Sequence, residues 1–261
     1  MSLSLFHSKT RTELSKLAAA GSAVLVPLAA TEQHGPHLPV YTDSLICEHI
    51  CEEAIGKLKV GDKILLAPAI TIGCSQHHLA YGGTLSYRSS TFLAMLQDIG
   101  ESLVACGFRR IIFLNGHGGN ESIMLQAVND LIVKHPIGAA AASYWSLVPV
   151  GARNELAKET GGPMPGHAGA FETALVKAMR PDWVHEEAIS LSHASLPWQG
   201  QSIPGTLLGT HGLLTGQDGY TDAPFAAQAA AGQLSLKVIA EHVARWLEQT
   251  LNTMKIMECP R

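Results

Sequence analysis

From residue 29 to residue 43 the chain reads A-A-T-E-Q-H-G-P-H-L-P-V-Y-T-D. It places Glu32, His34, His37 and Asp43, all side chains that bind metals or move protons, within one short stretch. Gly35, Pro36 and Pro39 rule out a regular helix there, because proline lacks an N–H and clashes with the preceding turn. In extended backbone, residues two apart point the same way, so Glu32 and His34 can face one point. A carboxylate and an imidazole at a strand exit, with another carboxylate shortly after, is how a metal site begins. His37 offers a third imidazole, whose direction the flanking prolines leave open.

Three further stretches repeat this chemistry. Residues 73–78, G-C-S-Q-H-H, bring Ser75, His77 and His78; residues 115–121, N-G-H-G-G-N-E, bring Asn115 and His117; residues 166–173, G-H-A-G-A-F-E-T, bring His167 and Glu172. Tyr144 and Trp145 follow a fourth apolar run. The donors are carboxylates and imidazoles, with Cys74 the only cysteine in these loops, a mix that suits Zn²⁺, Mn²⁺ or Fe²⁺ and not an all-cysteine structural zinc. Two histidines with two or more carboxylates can hold a pair of metals, one carboxylate bridging. Such a pair polarises a carbonyl and activates water at neutral pH.

Alternatives stand beside these readings. The glycine-rich loop 115–120 opens a helix and could cradle phosphate, but it matches neither the P-loop nor G-x-G-x-x-G. Its glycines more simply let the backbone turn tightly behind a ligating His117. Glu172 could serve only to complement a helix dipole. His167, flanked by glycines in a loop, is favoured for a catalytic or substrate-binding role. Ser75 is not in G-x-S-x-G, which argues against a serine-hydrolase elbow. Cys47 and Cys51, four apart on a helix, read as core, and His49, His135, His185, His193, His211 and His242 as structural or exposed.

The elements that must position these groups follow from hydrophobic period. Helices are predicted over 12–20, 44–59, 89–106, 122–135, 168–179 and 223–251, and strands over 23–28, 64–70, 110–114 and 138–144. Residues 149–166 read as a glycine- and proline-rich connection, and 184–219 carry no assignable pattern. Asp43 is expected at a helix N-cap. Strands alternating with helices predict an α/β fold whose largely parallel sheet is covered on both faces. In such sheets ligands bind outside the carboxyl ends of the strands, where all four polar loops begin.

Length and composition set the frame. A chain of 261 residues, 46% hydrophobic and 15% charged, can bury one sizeable core, so a single domain spanning 1–261 is expected. A net charge of −4 without a lysine–arginine cluster argues against nucleic acid or an anionic membrane as partner. Five cysteines without framework spacing fit a reducing cytoplasm, and no signal peptide or membrane span is read at the start of the chain or beyond it.

Together the stretches E-Q-H-G-P-H-L-P with Asp43, G-C-S-Q-H-H-L-A-Y-G-G-T-L-S, N-G-H-G-G-N and G-H-A-G-A-F-E-T, in that order, resemble the creatininase (creatinine amidohydrolase) family, and G-Y-T-D-A-P-F-A-A near the end is similar too. The resemblance covers nearly the whole chain. It implies a three-layer α/β/α fold with two divalent metals, Zn or Mn, with Fe also suiting the donors. It implies a cytoplasmic homo-oligomer, commonly a hexamer, and hydrolysis of a non-peptide C–N bond of a small amide by a metal-activated water. Carried over residue by residue, Glu32, Asp43 and His117 hold one metal, and His34 and a shared Asp43 the second. Ser75 and His167 match positions that face substrate, His167 as proton donor to the leaving nitrogen; His78, from the same loop as Ser75, is a further substrate-binding candidate, and Trp145 flanks the pocket. Two places depart from the pattern. Gly119 stands where the creatinine-specific enzymes carry a ligating glutamate in N-G-H-Y-E-N, leaving Glu172 as the candidate replacement. Pro163, Met164 and Pro165 stand where those enzymes place a tryptophan. Both weigh against creatinine itself as the substrate. Within the resemblance, cleavage of a formamidopyrimidine or a modified peptide is the alternative. Outside it stands a non-catalytic small-molecule-binding module.

Overall fold

Side-chain parity along the strands sets the layers. The six residues 23–28 are all buried, Ala23 and Leu25 packing to one side and Val24, Val26 and Leu28 to the other. A strand apolar on both faces has to be covered twice, which is the signature of a parallel sheet between helix layers. The computed structural model describes residues 3–58, 64–190 and 217–257. In chain order its principal elements are α1 (Arg11–Ala19), β1 (Ala23–Leu28), α2 (Thr42–Gly56), β2 (Ile64–Leu66), α3 (Ser89–Ala105), β3 (Arg110–Asn115), α4 (Glu121–Lys134), β4 (Gly138–Ser143), α5 (Val150–Thr160), α6 (Ala170–Met179) and α7 (Ala229–Met257). All strand pairs are parallel, in the order β2-β1-β3-β4.

Helices α2, α5, α6 and α7 cover the Leu25 face through Ile46, Ile50, Leu156, Phe171, Leu175, Ile239 and Val243. Helices α1, α3 and α4 cover the Val24 face through Ala18, Phe92, Leu96, Leu103, Met124 and Leu131. Each large aliphatic side chain fully buried this way contributes about 1.5–3 kcal/mol. The three-layer α/β/α expectation is therefore met.

Connectivity places the crevice. From β1 the chain crosses by α2 to β2, then returns by α3 to β3 on the other side of β1. Strand order reverses between β1 and β3, so the loops leaving their carboxyl ends frame a cleft. Those loops hold Glu32, His34 and His117.

Four expectations are corrected. β2 stops at Leu66, and Ile70 rejoins only as an isolated bridge to Leu28; Pro68 has no N–H for a ladder. Residues 150–160 form a helix, although the connection around them is rich in glycine and proline. Helix α2 begins at Thr42 with Tyr41 at its N-cap, so Asp43 sits inside the first turn and caps nothing. The closing helix runs 229–257, and residues 224–226 before it form a separate 3-10 turn. His193 and His211 lie outside the described residues. Among the described residues no helix is long and apolar enough to cross a membrane.

Candidate metal centre

Four elements deliver the ionisable groups. Glu32 and His34 leave β1 in an extended segment pinned where the Glu32 N–H donates to the Val40 carbonyl (3.0 Å) and His34 bridges Leu38. Asp43 enters from the first turn of α2, His117 follows β3, and Glu172 enters from the first turn of α6. Asp43 divides its oxygens: Oδ1 lies 3.2 Å from His34 Nε2 and Oδ2 lies 3.0 Å from His117 Nδ1. Glu32 Oε1 lies 3.3 Å from His117 Nδ1, and Glu172 Oε2 lies 3.6 Å from His34 Nε2. All five side chains are buried.

Buried carboxylates without partners are expensive, several kcal/mol per ion. Yet both oxygens of Glu32, Oδ2 of Asp43 and Nε2 of His34 are buried and make no hydrogen bond. The charges show the strain of this arrangement. Burial works against a charge on His34, but Asp43, joined by Glu172 and Glu32, overrides it and raises the imidazole to about 10. His117 is likewise raised by Glu32 and Asp43 against burial. Burial pushes the Glu172 carboxyl up to about 8, the negative Asp43 adding to it against the pull of His34. Asp43 is held well below the usual carboxylate range because His34 and His117 outweigh its burial. In the protein alone, protons on histidines balance the carboxylates. A divalent cation would do so with better geometry, and the unpartnered oxygens and nitrogen are the donors it needs.

The outer ring nitrogens agree. His34 Nδ1 donates to the Glu32 carbonyl (3.0 Å), and His117 Nε2 faces the Cys74 carbonyl (3.2 Å). A carbonyl only accepts, so each ring keeps a hydrogen on its outer nitrogen and leaves the inner nitrogen as the one whose proton a cation would displace, as a ligating histidine must. The His117 loop is locked by Asn115, which accepts from the His117 N–H (3.1 Å) and donates to its carbonyl (2.7 Å). Gly119 is required here: a Cβ would collide with the Cys74 carbonyl and lie 2.6 Å from His117 Nε2.

Glu32, Asp43, His117 and Glu172 line a cavity of about 270 Å³, together with His77, His78, Gly118, Trp145, Pro165 and His167. His78 Nε2 and His167 Nδ1 face Glu32 Oε1 at 3.4 and 3.5 Å. Burial, with His34 and His78 nearby, pushes His167 well below the ordinary histidine range; burial likewise takes His78 down to about 4 against the pull of Glu32. Burial thus favours the uncharged form of both rings. Ser75 is not on the cavity wall: it is fully buried behind His117, with Oγ 3.3 Å from Nε2. His37 also turns away, its Nε2 3.0 Å from Thr173 Oγ1. The sequence reading places His77 among the groups of the second polar loop without a specific role, and it stacks on His117 (5.8 Å, 7°); it missed Gln33, whose amide touches both His78 and His167. The only sequence signal for Gln33 was its place between the candidate ligands Glu32 and His34.

Comparison with known proteins agrees with this geometry. The family described as creatininase, creatinine amidohydrolase, matches residues 7–247. The mycofactocin precursor peptide peptidase of Mycobacterium tuberculosis (strain CDC 1551 / Oshkosh) is 30% identical over 246 residues, 90% of each chain. The creatinine amidohydrolase of Pseudomonas putida is 27% identical, over 94% of this chain and 96% of its own. A crystal structure of creatininase superposes with a TM-score of 0.79 at 24% identity, over 96% of this chain and 99% of its own. Manganese and zinc–zinc forms of creatininase match with the same TM-score, 0.79.

Proposed function

The chain belongs to the creatininase family, and from that premise we propose that it is a metal-dependent hydrolase cleaving the C–N bond of a small cyclic amide or formamide. The observation that carries this reading is the set of buried donor atoms without hydrogen bonds, two on Glu32 and one each on Asp43 and His34, with Glu32 and Asp43 lining one cavity and His34 Nε2 3.2 Å from Asp43 Oδ1. Glu32, Asp43 and His117 would hold one divalent ion, and His34, Asp43 and Glu172 the other, with Asp43 shared. Zinc or manganese, or iron, suits these donors. When bound, such ions polarise a carbonyl and lower the pKa of water.

The protein's own side chains do the rest. Trp145 and Pro165 exclude water from one wall of the cavity. His78 and His167 turn a ring nitrogen toward Glu32, and in this reading these nitrogens meet the carbonyl of a bound amide. In hydrolysis an O–C bond forms from water, the C–N bond breaks, and the water's hydrogen ends on the departing nitrogen. His167 Nδ1 is the atom proposed to guide that hydrogen. Ser75 acts through His117 by holding its ring. The same reading includes a cytoplasmic homo-oligomer.

A second reading is favoured by one observation: the relative matched at 30% identity over 90% of each chain is a peptide peptidase. The open backbone at Gly118, where a Cβ would meet nothing, leaves room for a longer substrate. The test is a panel of lactams, formamides and modified peptides, offered to protein stripped by chelator and to protein reloaded with zinc or manganese. Turnover of a small amide only after reloading supports the first reading, and turnover of the peptides alone supports the second. Metal-loaded protein that binds panel members without hydrolysing any would make it a binding module.

A further inference from the structure

Gln33 lies between the two leading ligand candidates and has so far been given nothing to do. Its side chain is buried, and its amide is pinned at both ends by backbone groups that leave no choice of orientation. Oε1 accepts from the Gly35 N–H (2.9 Å), and Nε2 donates to the Gly219 carbonyl (2.9 Å). A Cβ on Gly219 would collide with this amide, so the glycine keeps the contact close. The NH₂ end therefore faces the cavity side. There Nε2 lies 2.9 Å from His78 Nδ1 and 3.0 Å from His167 Nε2.

An amide NH₂ has hydrogens and no usable lone pair. One of its two hydrogens goes to the Gly219 carbonyl and the other is shared between His78 Nδ1 and His167 Nε2, so a ring hydrogen on either nitrogen would point at it. We infer that Gln33 is a positioning residue that fixes the tautomers of His78 and His167, keeping His78 Nδ1 and His167 Nε2 free of hydrogen and placing the N–H of each ring on the cavity side. The inward nitrogens are the ones 3.4 and 3.5 Å from Glu32 Oε1, an anion toward which a ring hydrogen turns in preference to a lone pair.

The four histidines then separate into two pairs by what stands behind them. His34 and His117 are backed by carbonyl oxygens, which draw the ring hydrogen outward and leave a lone pair for a cation. His78 and His167 are backed by an amide NH₂, which draws the lone pair outward and leaves a hydrogen inward. Glu32, His34 and His167 bring donor atoms within 4.8 Å of one another, a spacing that could by itself hold a cation. Gln33 removes His167 from that set. His78 and His167 meet the substrate as hydrogen-bond donors, through Nε2 and Nδ1 respectively. This consequence for substrate rests on the proposed hydrolase; the tautomer assignment does not.

The test is ¹⁵N–¹H correlation spectroscopy of the imidazole rings in zinc-loaded full-length protein with labelled histidine, the two rings assigned from His78→Gln and His167→Gln spectra. Wild type is expected to show His78 Nδ1 and His167 Nε2 as bare nitrogens, and His78 Nε2 and His167 Nδ1 as hydrogen-bearing ones. Gln33→Glu keeps an oxygen for Gly35 but puts an acceptor where the NH₂ was, so hydrogen is expected to move to the nitrogens facing residue 33. Should that variant fail to fold, Gln33→Met removes the donor without adding a charge, and the single-tautomer pattern is expected to give way to averaged shifts. A hydrogen on His78 Nδ1 or His167 Nε2 in wild type overturns the inference. So does a wild-type pattern that survives unchanged in whichever variant folds. Failure of the hydrolase reading looks different: no turnover, with the wild-type tautomers as assigned.

Discussion

Glu172 Oε2 stands 3.6 Å from His34 Nε2, although the two residues come from different elements 138 positions apart. Its other contact is the Ala168 N–H, which donates to the same oxygen at 2.6 Å and holds the carboxylate inward. Ala168 adopts a left-handed φ of 51° to do so, a conformation that costs an alanine roughly 1–2 kcal/mol. In the proposed centre this carboxylate replaces the one absent at Gly119.

Glu172→Gln keeps the shape and removes the charge. The expected result is one metal per chain where wild type binds two, with the Glu32–Asp43–His117 set retained. Elemental analysis of gently purified protein checks this. Two metals in the variant would mean that Glu172 is only a helix-dipole partner.

Gly119→Ala puts a methyl group against the Cys74 carbonyl, a backbone atom that does not give way, and against His117 Nε2. Overpacking of this kind costs about 1–3 kcal/mol. Thermal melts should show that loss, and metal titration should show weaker binding because the His117 ring is displaced. A stable variant with unaltered metal affinity would contradict the geometry.

Gly232→Ala offers a contrast away from the metals. A Cβ there would strike the Ala174 backbone carbonyl, where α7 crosses α6. Neither backbone can yield, so a loss of about 1–3 kcal/mol in denaturant stability is expected. Since α6 carries Glu172, loss of the second metal is expected to accompany it, readable by the same elemental analysis.

Metal uptake should release protons. In the metal-free protein His34, raised to about 10, and Glu172, raised to about 8, both hold a proton at pH 7. A cation has to displace them, so affinity rises with pH up to these values, about tenfold per pH unit for each proton displaced. Calorimetry at pH 7 in buffers of different ionisation enthalpy measures the release directly. A heat independent of buffer would show that these groups are already bare.

How much of this was legible in the sequence depends on range. The alternation of apolar runs and helical stripes specified the layers, because every β1 residue and every β3 residue after Arg110 is buried whichever face it takes. Proline at 68 shortened β2 against its apolar run. Helix α5 escaped because only Leu156 and Thr160 of its eleven residues are buried, so no apolar stripe announces it between Pro149 and Gly161. Glu32, His34 and Asp43 were readable as a group since they lie within twelve residues of sequence. Whether Glu172 reached them was a question about the packing of α6, which no local pattern answers. Gln33 was invisible for a different reason: its role depends on Gly35 and Gly219 fixing which end of an amide faces inward.

The most direct measurement of the central claim is metal content per chain in wild type and in Asp43→Ala. Asp43 gives Oδ1 to the His34 side and Oδ2 to the His117 side. The account predicts close to two metals in wild type and loss of both in the variant, with the fold retained by circular dichroism. A folded Asp43→Ala protein that keeps its metals would contradict it.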